Sequence, residues 1–153
     1  MGYLISELVE HHRQLQAYTA VAFLARLDAP VRNLQQGSVV KFNVVLSNIG
    51  DGYNADTGYF IAPVSGIYMF SVSAMSDVKA IGWIELFIVK NADLVTGAYG
   101  YPGVIGHDQG ATTAFIEVAA NDKIWVKVNQ PTTNASVGGW KFSSFSGCLI
   151  HQL

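Results

Sequence analysis

Four histidines are the side chains best suited to catalysis or metal binding in this sequence, and their spacing supports neither. His11 and His12 are adjacent near the N-terminus, while His107 and His151 stand alone. A zinc-protease helix instead carries two histidines four residues apart with a glutamate between them. The sequence also lacks a Gly-x-Ser-x-Gly elbow, a phosphate-binding loop and a dinucleotide fingerprint. We therefore predict that the protein is not an enzyme.

A glycine-containing loop groups oxygen-bearing side chains that suit calcium. Asp51, Asn54 and Asp56 fall within six residues of each other, and calcium takes carboxylate and amide oxygens as ligands. Their spacing matches no EF-hand, however, and short Asx side chains also favour turns by bonding to the nearby backbone. We predict no cofactor, and calcium stays open as an alternative.

The composition limits the class of protein and its partners. A chain of 153 residues suits one domain with one core. Its net charge of −2, without a basic cluster, argues against nucleic acid and anionic membranes as partners. Half of the residues are apolar and 13% are charged, against about a quarter in a typical soluble domain, which favours a surface hidden between copies. The single Cys148 excludes an internal disulfide and is predicted to be buried.

Two regions differ in pattern, which predicts a division into residues 1–18 and residues 19–153. Ile5, Leu8, His12 and Leu15 follow coiled-coil spacing. They predict a short helix that is either the stub of a trimerising stalk or an amphipathic tail. The opening residues do not form a signal peptide, so we expect a mature or recombinant form, or an unusual export route. The Met-Gly-x-x-x-Ser start also fits a myristoylation signal. A start introduced for recombinant expression would give the same residues.

From Ala20 onward, strand patterns alternate with turn clusters, as in all-β sandwiches. The strand at 123–129 alternates apolar and polar residues, which predicts one solvated face; Trp125 is expected to pack at that surface. The strand at 66–76 is apolar on both faces, with Tyr68, Phe70 and Val72 on one and Ile67, Met69 and Met75 on the other. A sandwich covers only one of them, so we expect a neighbouring subunit to cover the second.

Eight positions between residues 42 and 72 follow a recognisable family pattern of aromatic, Asx and glycine anchors. They hold Phe42, Asn48, Tyr53, Phe60, Gly66, Tyr68, Phe70 and Val72. The chain resembles the C1q domain family, and seven of these anchors match, whereas Val72 replaces an aromatic residue. Residues 20–27, 122–128 and 145–150 are similar to the family's first, seventh and last strands. Gly66 and Gly147 are expected where another chain segment approaches closely.

The resemblance implies an all-β fold: a ten-stranded antiparallel jelly-roll sandwich of tumour-necrosis-factor-like topology, assembled as a trimer. It also places both termini at one end, so that three loops share the opposite, apical end. Rings there would stack on sugars, and amides and acids would bond hydroxyl pairs. The candidate ligand-binding residues in or beside these loops, in addition to Asp77, are Lys79, Tyr99, Tyr101, His107, Asp108, Gln109, Asn129, Thr132 and Asn134.

The function implied by the resemblance is a soluble, secreted pattern-recognition lectin of innate immunity, similar to the stalkless C1q-type lectins of invertebrates. Its partners would be microbial or sialylated glycans and two further copies of the chain. The alternative is a protein-binding ligand or extracellular scaffold that binds no sugar. Asn134-Ala-Ser136 forms a glycosylation sequon, which is compatible with secretion.

Overall fold

The computed structural model describes residues 2–15, 19–77, 83–103, 106–130 and 135–153. Helix α1, Gly2–Leu15, lies where the coiled-coil spacing predicts a helix, and its Ile5 and Leu8 side chains are exposed. No helix in the described part of the chain is long and apolar enough to span a membrane. The strands are β1 Ala22–Arg26, β2 Val31–Leu34, β3 Val44–Ile49, β4 Tyr53–Asn54, β5 Tyr59–Ile61, β6 Gly66–Met75, β7 Ile84–Lys90, β8 Asp93–Gly100, β9 Gln109–Val118, β10 Lys123–Val128, β11 Ala135–Val137 and β12 Ser144–Gln152.

Ten of these strands form two five-stranded antiparallel sheets. The first sheet has the order β3-β1-β12-β6-β9, and the second has the order β4-β5-β10-β7-β8. Strands β2 and β11 form a separate two-stranded ribbon. The two sheets confirm the predicted ten-stranded jelly-roll sandwich, to which the short ribbon adds two strands.

The core between the sheets is built around aromatic rings. Phe23 from the first sheet packs against Tyr53, Phe60 and Phe145, with ring centroids 4.9–5.0 Å apart. Burying each such ring contributes about 1.5–3 kcal/mol, and favourable ring pairs add about 0.5–1.5 kcal/mol. In β10, Ile124, Val126 and Val128 are fully buried while the alternating side chains are partly exposed, which confirms the predicted one-sided strand.

Three of the family anchors form one hydrogen-bonded unit at the edge of this core. The Asn48 side chain donates to the Tyr53 carbonyl oxygen at 2.8 Å and accepts from the Tyr53 amide at 3.0 Å. The Tyr53 hydroxyl donates to the Phe42 carbonyl oxygen at 3.0 Å and accepts from the Phe42 amide at 3.2 Å. Burial raises the pKa of Tyr53 to about 12. These contacts explain why the pattern needs an Asx and an aromatic residue at this spacing.

Glycine allows close approach at the predicted positions. A Cβ atom at Gly147 would lie 2.5 Å from the Phe70 ring and 2.8 Å from the Phe23 ring. A Cβ atom at Gly66 would collide with the carbonyl oxygen of His151. Both predictions are confirmed, because any larger residue would push apart groups that the core holds together.

The sandwich is closed along one side where β8 of the second sheet meets β9 of the first. Gly110 in β9 lies so close to the Tyr99 backbone in β8 that a Cβ atom would overlap it. The Thr96 and Thr112 hydroxyl groups lie 3.0 Å apart across the same contact. We call this contact the β8–β9 seam.

Strand β6 is apolar on both faces only over its first half, so the prediction for this strand is partly wrong. Its inner side chains are fully buried, whereas Ile67 on the outer face is 38% exposed and Met69 is partly exposed. Ser71 and Ser73 continue that outer face. Met75 lies on the same face by alternation but is only 6% exposed, because the chain at Gly138 passes over it and donates a backbone hydrogen bond to its carbonyl oxygen at 2.7 Å.

Strand register arranges the outer face of the first sheet into two rows that cross all five strands. The apolar row consists of Ile49, Ala22, Cys148, Met69 and Phe115. The hydroxyl-rich row beside it consists of Ser47, Leu24, Ser146, Ser71 and Thr113. Phe115 is 66% exposed and Ile49 is 54% exposed. Cys148 lies in the middle of the apolar row and is partly exposed, so the prediction that it is buried in the core is wrong.

Candidate functional site

Hydrogen bonds join the predicted apical loops at one end of the sandwich. The Ser76 amide, at the end of β6, donates to the Asp108 carbonyl oxygen in the β8–β9 loop at 2.8 Å. Ser76 also forms an isolated β-bridge with Val137 of β11. At the opposite end, the Leu153 amide donates to the Ser65 carbonyl oxygen at 3.1 Å. The three loops therefore share the end that lies away from the C-terminus.

Asp108 and His107 shape the β8–β9 loop from within. The Asp108 carboxylate accepts from the amides of Tyr101, at 2.7 Å, and Gln109, at 2.9 Å. The His107 Nδ1 atom lies 2.9 Å from the Ser76 carbonyl oxygen, a geometry in which the ring N–H donates. Through these contacts, both side chains are bonded to backbone groups of the loop or of the adjacent end of β6. The Tyr101 side chain is 55% exposed.

Gln109 points away from the other candidates. Its amide nitrogen donates to the Ser73 hydroxyl at 2.6 Å and to the Phe142 carbonyl oxygen at 3.0 Å. Both partners lie on the side of the first sheet, since Gln109 begins β9. The structure therefore separates Gln109 from the candidates on the second sheet.

Tyr99 and Asn129 meet at Glu85, on the outer face of the second sheet. The Asn129 amide nitrogen donates to Glu85 Oε1 at 2.6 Å, and Tyr99 lies directly opposite Glu85 across the β7–β8 pair. Glu85 and Tyr99 belong to a recess of about 260 Å³ that we call the lateral recess, lined by Glu85, Phe87, Gly97, Ala98 and Tyr99. A carboxylate and two aromatic rings line this recess, and the Asn129 amide is bonded to the carboxylate beside it. This arrangement can bind a ligand that presents hydroxyl groups and an apolar face.

The remaining three predicted residues, Lys79, Thr132 and Asn134, lie outside the described residues. Sequence reasoning missed Glu85 and Phe87, whose alternation with buried Ile84 and Leu86 places them on the outward face of β7. It also missed Trp140 and Phe142, which follow the predicted β10–β12 loop and are 46% and 54% exposed. The signal available for them was an aromatic pair directly after Gly138-Gly139.

Trp140 sits in an unusual turn at the apical end. Trp140 and Lys141 both adopt left-handed backbone conformations, with φ of 54° and 73°, which side-chain-bearing residues rarely do. Backbone hydrogen bonds from Trp140 to Asp28 at 2.9 Å and from Lys141 to Leu27 at 3.0 Å hold this turn. The Trp140 ring packs edge-on against His107 at 5.8 Å between centroids. The turn therefore presents an aromatic ring beside the β8–β9 loop.

Asp77 anchors the apical end through an ion pair with a partly exposed arginine. The Asp77 side chain is completely buried and accepts from Arg32 Nε at 2.6 Å, whereas the Arg32 side chain is 41% exposed. The other Asp77 oxygen, Oδ1, has no hydrogen-bond partner among the described residues. Loss of Arg32 would leave a buried carboxylate unpaired, so this contact is suited to fixing the ribbon strand β2 against the end of β6.

The loop proposed for calcium has a structural use for its Asx residue. Asn54 Oδ1 accepts from the amides of Asp56, at 2.8 Å, and Thr57, at 3.3 Å. This is the Asx-turn behaviour that the sequence left open beside calcium. Within the described ranges, no three His, Cys, Asp or Glu side chains come together as a metal site.

A larger recess of about 620 Å³ lies beside β2, lined mainly by apolar residues that include Pro30, Val31, Leu34 and Val39. Of its polar lining groups, the Ser38 hydroxyl already accepts from the Gln35 amide at 3.0 Å. This recess contains no aromatic side chain or carboxylate, and none of the predicted ligand-binding residues lines it. The lateral recess is therefore the better candidate for recognition of a polar ligand.

Comparison with protein families confirms the resemblance seen in the sequence. A family described as "C1q domain" matches residues 22–150. The chain is 30% identical over 134 residues to "Complement C1q tumor necrosis factor-related protein 3" of both Mus musculus and Homo sapiens, covering 86% of this chain and 52% of each relative. It is 25% identical to "Caprin-2" of Danio rerio over 86% of this chain and 14% of that protein. The chain thus spans about half, or less, of these relatives.

Solved structures confirm the fold. The "Globular Domain of Zebrafish Complement 1qA protein" matches with a TM-score of 0.72 and 20% identity, covering 87% of this chain and 99% of that one. "Structure of Eiger TNF from S. frugiperda" matches with a TM-score of 0.69 and 12% identity, covering 88% and 93%. Murine APRIL matches with a TM-score of 0.66 and 12% identity, covering 86% and 99%.

Proposed function

The chain belongs to the C1q domain family, and on this premise we propose that it is an extracellular, trimeric lectin. Its proposed role is pattern recognition in innate immunity, by binding glycans that repeat on microbial or host cell surfaces. The proposal has two parts, the assembly of three copies and the binding of sugar, and each part has its own support.

The lateral recess is the observation that carries the sugar-binding part. Of the residues predicted as ligand-binding, Tyr99 lines the recess opposite Glu85 on the neighbouring strand, and Asn129 donates to the Glu85 carboxylate beside it. Aromatic rings bind the C–H faces of sugars, while carboxylate and amide groups bond their hydroxyl groups. A recess that combines both kinds of group is typical of ligand sites with a few oriented polar contacts.

The apolar row supports the assembly part. It places Phe115, Met69 and Ile49 on one outer face, where they are exposed or half-exposed in a single chain. Contiguous exposed apolar surface of this kind favours contact with another protein surface. Three copies that cover the row would carry three lateral recesses, and multivalency of this sort raises overall binding by about 10²–10⁴ over one weak site.

Two measurements test these parts separately. Light scattering should give a mass about three times 16.5 kDa, and a well-folded monomer would contradict the assembly. The same preparation should bind at least one class on an array of neutral, sialylated and bacterial glycans. A trimer that binds none of them would contradict the lectin function while leaving the assembly intact.

A second candidate function is a protein-binding ligand or scaffold. Trp140, Phe142 and Tyr101 are 46–55% exposed at or beside the apical loops, and aromatic residues are enriched in the contact surfaces of protein complexes. The array that tests sugar binding also separates the two candidates, because a scaffold would assemble normally and bind no glycan.

A further inference from the structure

We propose that the lateral recess binds one neutral pyranose ring through a vicinal pair of hydroxyl groups and excludes acidic sugars. This inference rests on the proposed lectin function and narrows its ligand. The recess measures about 260 Å³, just below the range of about 300–1,000 Å³ for sites of drug-sized ligands. A single sugar ring fits this scale, with the rest of a glycan extending into solvent.

The floor of the recess is an aromatic ring held flat against the sheet. Phe87 points outward from β7 and lies over Gly97 of β8, where a Cβ atom would come within 2.8 Å of the ring. Tyr99 stands beside it and is 57% exposed. The face of an aromatic ring carries partial negative charge, so it attracts the weakly positive C–H groups on one side of a pyranose.

The polar edge of the recess is fixed before any ligand arrives. Asn129 donates from its side chain to Glu85 Oε1 at 2.6 Å and from its backbone amide to the Glu85 carbonyl oxygen at 2.9 Å. Gln130, which is 1% exposed, accepts from the Glu85 amide at 2.9 Å and donates to the Trp83 carbonyl oxygen at 3.1 Å. This support reduces the ordering cost of binding.

The remaining polar atoms of this edge match a pair of hydroxyl groups. Side-chain hydrogen bonds among the described residues occupy one Glu85 oxygen and one Asn129 side-chain N–H. Glu85 Oε2 then accepts from one hydroxyl, and the Asn129 amide accepts from or donates to its neighbour. A hydrogen bond to a carboxylate is about twice as strong as one between neutral groups, so Glu85 carries most of the polar contribution.

The charge at the recess discriminates between sugars. Glu85 lines the recess, whereas the nearest lysine in the strand pairing, Lys127, lies opposite Phe87 on the β10 side, away from Tyr99. Among the described residues, no cationic side chain lines the recess, so the carboxylate of a sialic or uronic acid would face Glu85 directly. Like charges repel, and the structure therefore assigns neutral hexoses to this recess.

The test measures retention of the purified protein on beads bearing mannose, galactose, glucose or N-acetylneuraminic acid. We expect retention on at least one neutral bead, with competition by the matching methyl glycoside and weaker retention on N-acetylneuraminic acid. Tyr99→Ala and Glu85→Gln should each weaken binding about tenfold or more, equivalent to about 1.4 kcal/mol. Tyr3→Ala is the matched control, because this exposed tyrosine of helix α1 does not line the recess and belongs to none of the candidate sites.

The possible outcomes test the lateral recess and the lectin function separately. Retention on no bead, together with a blank array, would overturn the lectin function and this inference with it. Neutral-sugar binding that Tyr99→Ala and Glu85→Gln leave equal to the Tyr3→Ala control would overturn the site while the function stands. A preference for N-acetylneuraminic acid that Glu85→Gln leaves unchanged would overturn the charge argument. Circular dichroism checks that each variant is folded.

Discussion

The two outer faces of the sandwich differ in how far their apolar side chains are covered by neighbouring side chains. On the second sheet, Trp125 packs against Tyr59 with ring centroids 5.4 Å apart, and Lys123 Nζ lies 4.5 Å above the Tyr59 ring. Val89, directly opposite Trp125 across the β10–β7 pair, is 1% exposed. This face is covered by its own long side chains, which keep charged groups at the solvent.

The described residues provide no such cover for the outer face of the first sheet. The centres of its two rows hold small or half-exposed residues, including Ala22, Cys148, Ser71 and Ser146, while the large Phe115 stands at the edge with 66% of its surface exposed. A shallow surface with a protruding ring is suited to close contact with another copy. The comparison shows that large apolar side chains alone do not identify an interface; what matters is whether neighbouring side chains already cover them.

The largest expected effect comes from a charge placed in the apolar row. Phe115→Asp should convert the trimer to monomer, because three desolvated carboxylates at an interface would cost far more than the contacts return. Light scattering measures the mass, and a thiol reagent should label Cys148 faster in this variant than in the wild type. Ile61→Asp is the control, since Ile61 is 45% exposed on the second sheet. Equal masses for both variants and the wild type would contradict the comparison.

Alkaline pH should destabilise the core that lies between the two sheets. Burial raises the pKa of Tyr53 from its ordinary value of 10.0 to about 12, so the unfolded chain loses the proton first. The stability contributed by the protonated phenol is complete below pH 10 and falls as the pH rises towards 12, by up to about 3 kcal/mol. Urea unfolding at several pH values measures this, and Tyr53→Phe should show a shallower decline. Identical slopes would contradict the assignment to Tyr53.

Trp125→Ala tests whether the second face is covered by its own side chains. Removing the indole should expose Val89 and lower the free energy of unfolding by about 2 kcal/mol, less than the 3–5 kcal/mol of a fully buried tryptophan. The oligomeric state should not change. Urea unfolding and light scattering on the same sample measure both quantities, and dissociation of the trimer would show that this face also forms the interface.

The smallest effect is expected in the hydroxyl-rich row. The Thr113 hydroxyl donates to the Ser71 hydroxyl at 3.0 Å on the exposed face. Thr113→Val removes this contact and should change the free energy of unfolding by no more than about 1 kcal/mol, while the trimer remains. Thermal unfolding is sensitive enough to measure the change, and a loss of several kcal/mol would mean that the row has a greater structural role than its exposure indicates.

The fold was predictable from the sequence because its determinants are local. The spacing of Phe42, Asn48 and Tyr53 encodes hydrogen bonds that lie within eleven residues of each other, and the alternation in β10 encodes its burial directly. The burial of Met75 within its own chain was not predicted, because it depends on Gly138, a long-range contact that no local pattern records. Cys148 was misplaced because its side of β12 depends on pairing register with β6.

The candidate site was predictable only as a set of loops at one end. Tyr99 and Gln109 are ten residues apart, but Tyr99 lies near the end of β8 in the second sheet and Gln109 begins β9 in the first. Tyr99 therefore lines the lateral recess, whereas Gln109 bonds to Ser73. Glu85 becomes part of the site through its pairing with Tyr99 across β7 and β8. Such cross-strand neighbours follow from register, which the sequence of one strand does not specify.

The β8–β9 seam determines which strand edge stays exposed when a protomer dissociates. The seam covers the outer edges of β8 and β9, which leaves β3 as the unpaired edge of the first sheet within the described residues. That strand reads Val-Val-Leu-Ser-Asn-Ile and exposes Val45, Leu46 and Ile49. Uncharged edge strands of this kind recruit strands from other molecules and promote aggregation. We therefore expect dissociated protomers, including those of Phe115→Asp, to stay monomeric when dilute but to aggregate through β3 when concentrated, so that assembly would also protect solubility.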